Sequence, residues 1–146
     1  MRDFYLARGI DKAARYGLTY AMRKYATCIL DEYDSREDVV ADVDRAILRR
    51  DKATTYLQRA VSLDDAEGPS EVAYAYFEQS DGKPQLYAVD NDQAYRYAYA
   101  ASFGDRGRYR QLDWVISQSA KSMNSRQISD ARKQGNRLYD ACCFKH

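Results

Sequence analysis

Phe4, Ala7, Ile10, Ala14, Leu18, Met22, Tyr25 and Ile29 recur every three or four residues. A strand would scatter these side chains over both faces, whereas an α-helix gathers them on one stripe. The pattern therefore predicts a long amphipathic helix. Gly9 and Gly17 interrupt it, each weakening a helix by ~1 kcal/mol relative to alanine. One of them is expected to mark a kink or a close approach by another helix. Asp31 to Asp34 ends the pattern, and Ser35 with Asp38 reads as a capping box for a second helix. Val40, Val43, Ile47, Leu57 and Val61 form its expected apolar face, with Arg50 and Thr54 between them. Two such stripes predict an antiparallel helical hairpin over residues 1–66, stopped by Asp64 to Gly68-Pro69.

The next stretch, Val72 to Tyr109, carries seven of the fourteen tyrosines. From Val72 to Phe77 the pattern alternates, with Val72, Tyr74 and Tyr76 on one face and Ala73, Ala75 and Phe77 on the other, which fits the two-residue period of a strand. Asp81-Gly82 is a turn signal, and Leu86 to Val89 reads as the partner strand, so a β-hairpin is expected over residues 70–91. Residues 92–103 fit either a helix or a third strand. Asn91 or Asp92 as N-cap, an alanine-rich interior and Gly104 as C-cap favour the helix. Gly104 to Gly107 reads as a loop. Leu112, Val115, Ile116, Ala120 and Met123 suit a helix, with a strand over Tyr109 to Ser117 as the runner-up. Asn124-Ser125 caps a last helix whose inner face holds Ile128, Ala131, Gly135, Leu138, Tyr139 and Cys142. The expected fold class is α+β: a single helix-rich domain over residues 1–146. It comprises a helical hairpin, a small β-hairpin or antiparallel sheet, and a mostly helical, basic stretch over residues 92–146.

A chain of 146 residues with 45% hydrophobic content is long enough to bury a core. No run approaches a membrane span, and Met1 to Tyr5 lacks the pattern of a secretory signal. The odd cysteine count (Cys28, Cys142 and Cys143) is a poor disulfide framework and points to a reducing, cytoplasmic setting. Net charge is +1, unevenly placed. Residues 69–93 hold one basic and five acidic side chains, and residues 94–146 hold ten basic and four acidic.

Recognised chemistry is hard to find. His146 is the only histidine and the last residue, which disfavours Ser-His-Asp and Cys-His catalysis. Cys142, Cys143 and His146 make a poor zinc pattern. The carboxylate runs Asp31 to Asp38 and Asp90 to Asp92 read as capping and turn residues rather than a calcium loop. No phosphate-binding glycine loop and no nucleophile elbow occurs. Neither a metal nor a cofactor is expected.

The most suggestive constellation interleaves Tyr95, Tyr97, Tyr99, Phe103 and Tyr109 with Arg96, Arg106, Arg108 and Arg110. Tyrosine and arginine dominate the energetics of protein interfaces. They also stack on bases and grip phosphates. The first functional reading is a non-enzymatic inhibitor or adaptor, binding a protein or nucleoprotein partner through Tyr95, Arg96, Tyr97, Tyr99, Arg106, Arg108, Tyr109 and Arg110. By analogy alone, small phage or mobile-element accessory proteins that block host defence complexes have this make-up. The alternative is a nucleic-acid-binding module using residues 95–110 with Arg126, Arg132, Lys133 and Arg137. A third reading is a histidine-independent enzyme using Tyr97, Arg108 and Asp113. No membrane partner is expected, and apolar positions on the first two helices leave room for a homodimer seam.

Overall fold

The computed structural model describes residues 2–31, 40–63, 67–77, 86–103 and 109–142. Among them are seven helices and no strand: α1 (Arg2–Arg15), α2 (Thr19–Asp31), α3 (Val43–Ser62), α4 (Gly68–Tyr76), α5 (Asn91–Ser102), α6 (Tyr109–Ala120) and α7 (Ser125–Cys142). The expected α+β class is therefore corrected to all-α. By contact the described chain forms two compact units. One holds α1, α2, α3 as far as Ala60, and Leu86; the other holds the rest from Val61 onward.

In the first unit the long N-terminal helix is two helices. Gly17 adopts φ +96°, which ends α1 in a left-handed turn. The Leu18 N–H donates to Ala13 O at 3.2 Å and the Gly17 N–H to Ala14 O at 3.0 Å, the paired bonds of a Schellman motif. Leu18 O already accepts from Met22 N at 3.1 Å, so α2 starts at once and packs on α1. Ala14, Met22, Tyr25 and Ile29 are buried, as the stripe predicted, and Ala21 and Ala26 join them, but Leu18 at the corner is exposed. The expected capping box at Ser35 lies outside the described residues. At the start of α3 the Asp42 backbone O accepts from Ala46 N at 3.0 Å.

The apolar face of α3 also differs from expectation. Leu57 and Val61 are buried, whereas Val40, Val43 and Ile47 are 71%, 43% and 44% exposed. Ala46, Ala53 and Ala60 take their place, joined by Tyr56. Burying alanine at these positions costs no side-chain entropy. Tyr56 meets Tyr25 of α2 edge to face, centroids 5.2 Å apart, a pairing worth about 0.5–1.5 kcal/mol beyond area burial.

In the second unit α4 replaces the first strand of the expected hairpin. Pro69 lies in its first turn, where a missing N–H costs nothing. Val72 and Ala73 are buried, while Tyr74, Ala75, Tyr76 and Phe77 are half-buried. The alternation of large residues with alanine satisfies a short helix covered on several sides as well as a strand, and tertiary burial decides between them. Phe77 turns extended at ψ 142° and stops the helix. The turn at Asp81 to Pro84 lies outside the described residues, and Leu86 to Val89 is a bend and irregular chain, not a strand.

Asp90 is the observed cap of α5, not Asn91 or Asp92. Its carboxylate accepts from Gln93 N at 3.1 Å, and its own N–H donates to Tyr76 O at 3.1 Å. Gly104, the expected C-cap, lies outside the described residues; the helix closes at Ser102. α5 is the hub, touching α4, α6 and α7. The core is Ala73, Ala94, Ala98, Ala101, Leu112 and Val115, so small α5 residues face larger ones on α6. Residues 109–120 are helix rather than the runner-up strand. At α7 Asn124 caps as expected, through reciprocal bonds: Gln127 N to Asn124 Oδ1 at 2.9 Å, and Asn124 N to Gln127 Oε1 at 2.8 Å.

Candidate interaction surface

Helix α5 sorts the predicted binding residues by face. Tyr95 and Tyr99, four apart, stack at 6.1 Å with planes 16° apart, and both turn toward α7. Tyr95 is buried, and its hydroxyl accepts from Arg132 Nε at 3.0 Å. The Arg132 guanidinium also lies 6.0 Å from the Tyr99 ring centroid, within cation–π range. Tyr99 then meets Phe103, and Phe103 meets Tyr139, at 5.1 and 5.3 Å. An added Cβ at Gly135 would sit 2.8 Å from Tyr99 Cδ1 and 2.9 Å from Arg96 O, so α7 approaches α5 to backbone distance here. Tyr95 and Tyr99 thus build the seam between α5 and α7.

Tyr97 lies on the other side of α5 and joins a different set. Tyr76 stacks on Tyr87 at 4.3 Å, planes 11° apart, and on Tyr97 at 6.1 Å, planes 23° apart. All three rings are half-buried. Burial raises the Tyr76 pKa, with further contributions from Tyr97 and the Asp90 carboxylate, so its hydroxyl keeps its proton. Phe77 meets Trp114 edge to face at 5.2 Å, and Trp114 is 55% exposed. The Tyr74 hydroxyl donates to Gln111 Oε1 at 3.2 Å. The inner edges of Tyr74, Tyr76, Phe77 and Tyr97 rest on the alanine core, so the rings are held from below.

Of the remaining predicted residues, Arg96 pairs with Asp92 at 2.6 Å, while its Nε is buried with no acceptor. Arg106 and Arg108 lie outside the described residues. Tyr109 and Arg110 open α6, and their side chains lie outside the described set. Asp113 is exposed on α6. Sequence reasoning missed the pairing of Phe77 with Trp114, and it missed the role of Arg132 at the seam. The signal for the first was the unbroken aromatic density from Tyr74 to Phe77.

The first unit holds a polar cluster that sequence reasoning did not single out. Asp11 accepts from Tyr56 OH at 2.6 Å, Arg15 Nη2 at 2.6 Å and Lys52 Nζ at 2.8 Å. Burial pushes the Asp11 pKa up, but the bonds from Arg15, Lys52 and Tyr56 outweigh it and hold the carboxyl well below the usual carboxylate range. Burial, then the adjacent Asp11, pushes Tyr56 up to about 12. The cluster ties α1 to α3.

No three histidine, cysteine or acidic side chains gather into a metal-binding group among the described residues. None of the described helices is long and apolar enough to cross a membrane. Comparison of the chain with protein-family models, curated proteins and solved structures finds no match in any of the three.

Proposed function

We propose that this is a non-enzymatic interaction protein, an inhibitor or adaptor of the cytoplasm, whose contact surface is the aromatic face of α4, α5 and α6. One observation carries the reading. Tyr76 and Tyr97 are packed on an alanine-rich core, Tyr87 stacks on Tyr76, and Trp114, edge to face with Phe77, is left half open to solvent. Rigid aromatic anchors of this kind contribute most of the energy at protein interfaces, because little side-chain freedom remains to be lost on binding. The charge of the surrounding chain suits a protein partner better than a polyanion. Residues 67–120 carry eight acidic and five basic side chains.

Trp114 is the sole tryptophan, so it reports on this face directly. Binding of the partner is expected to shift its emission to the blue and shield it from acrylamide. Trp114→Ala and Tyr87→Ala should each weaken capture about tenfold or more, while Lys133→Ala on α7 should leave it unchanged. A captured partner that leaves Trp114 fully quenchable would sink the proposal.

A further inference from the structure

We propose that the open cavity along the last turns of α1 binds single-stranded nucleic acid, holding a phosphate between Lys12 and Arg15 and a base against the ring of Tyr16. The cavity measures about 690 Å³ and is lined by Gly9, Asp11, Lys12, Arg15 and Tyr16. That volume is in the range of small-ligand sites and suits a nucleotide unit. Its described lining holds two cations, Lys12 and Arg15, against one acid. From Lys12 to Leu30 the chain holds four basic side chains, Lys12, Arg15, Arg23 and Lys24, and no carboxylate. Among the described lining residues the one acid, Asp11, is already committed to Tyr56 and Lys52 as well as to Arg15. Arg15 gives Nη2 to that carboxylate, which orients the guanidinium, and the group has five N–H donors in all.

The aromatic component is exposed where a folded core would hide it. Tyr16 is 83% and Tyr20 56% exposed, one on each side of the Gly17 corner. Tyr20 carries Arg23 at 5.7 Å from its ring centroid. Two open tyrosines, each accompanied by cations, match the way proteins hold unpaired strands: rings stack on bases of any sequence while a basic groove follows the backbone. An anionic membrane would meet mainly Leu18 as an aliphatic anchor and would leave the cavity without a role, so the nucleic acid is the better fit. This site lies in the first unit, and its residues are separate from the aromatic face of α4, α5 and α6.

The test is fluorescence anisotropy with a labelled single-stranded DNA of about 20 nucleotides at low salt, where phosphate contacts are strongest. The wild-type protein should bind, with log K falling by roughly 0.7 per phosphate contact for each tenfold rise in salt. Tyr16→Ala should weaken binding about tenfold, and Lys12→Glu at least as much, with helical circular dichroism unchanged in both. Trp114→Ala should bind DNA like the wild type. The proposal is overturned if the wild type gives no anisotropy change, or if binding survives both Tyr16→Ala and Lys12→Glu. It is also overturned if the protein ignores the oligonucleotide but binds phosphatidylserine vesicles in a Tyr16-dependent way.

Discussion

Ser119 on α6 is fully buried, and its hydroxyl has no hydrogen-bond partner. Burying such a group unpaired costs about 1–3 kcal/mol. Ser119→Ala should therefore raise the free energy of unfolding by about 1 kcal/mol, read as a higher urea midpoint at unchanged slope. The Asp11 cluster behaves in the opposite way, because every partner is engaged. Tyr56→Phe removes a bond to a charged acceptor and should cost about 1–3 kcal/mol at neutral pH. The same pair sets two pH limits. With its folded pKa depressed, Asp11 contributes stability that is complete above its ordinary value of 3.8 and declines as pH falls below it. With its folded pKa raised to about 12, Tyr56 contributes stability that is complete below 10 and is lost as pH climbs from 10 toward 12. Urea midpoints against pH should show both declines. Tyr56→Phe should flatten the alkaline one, and an unchanged alkaline limb would count against the assignment.

At the seam between α5 and α7, Gly135 lies against the α5 backbone. Gly135→Ala gains about 1 kcal/mol of helix propensity. It also drives a methyl group into Arg96 O, a backbone atom that cannot turn aside. Overpacking of this kind costs typically 1–3 kcal/mol, so the variant should unfold at lower urea despite its better helix former. A midpoint equal to or above wild type would show that α7 can shift away. How far these elements were legible in sequence depended on their surroundings. The stripes of α2 and α7 and the Asn124 cap could be read because one face is buried and the other wet. For α4 the same reading failed: a nine-residue helix with Val72 and Ala73 buried and its aromatic residues half-covered shows no clean period. The candidate surface was half legible. Aromatic density marked the stretch that holds the stacked rings, but which tyrosines meet depends on the bond from Asp90 N to Tyr76 O, which brings distant segments side by side.

At the scale of the whole molecule, near-neutral net charge conceals two aromatic surfaces of opposite surroundings. The α4 to α6 face sits in an acidic stretch, and the described lining of the α1 cavity holds two cations against one acid. Ionic strength should separate them in one preparation. Raising salt from about 50 to 200 mM should weaken binding at the cationic cavity by roughly 2–3-fold per phosphate contact, because counterion release drives it. Contacts made by rings on an alanine floor should change little, since screening acts on exposed charges. Parallel salt titrations of Trp114 emission and DNA anisotropy would check this, and equal salt slopes would contradict it.

The corner at Gly17 also limits how the chain can vary. A β-carbon at φ +96° is strained even where open space surrounds it, as it does here. Other residues at 17 would favour a straight rod in place of the bend, drawing Asp11 away from Lys52 and Tyr56. In a saturation library this position should tolerate glycine and, far behind it, asparagine, and should reject the β-branched residues first.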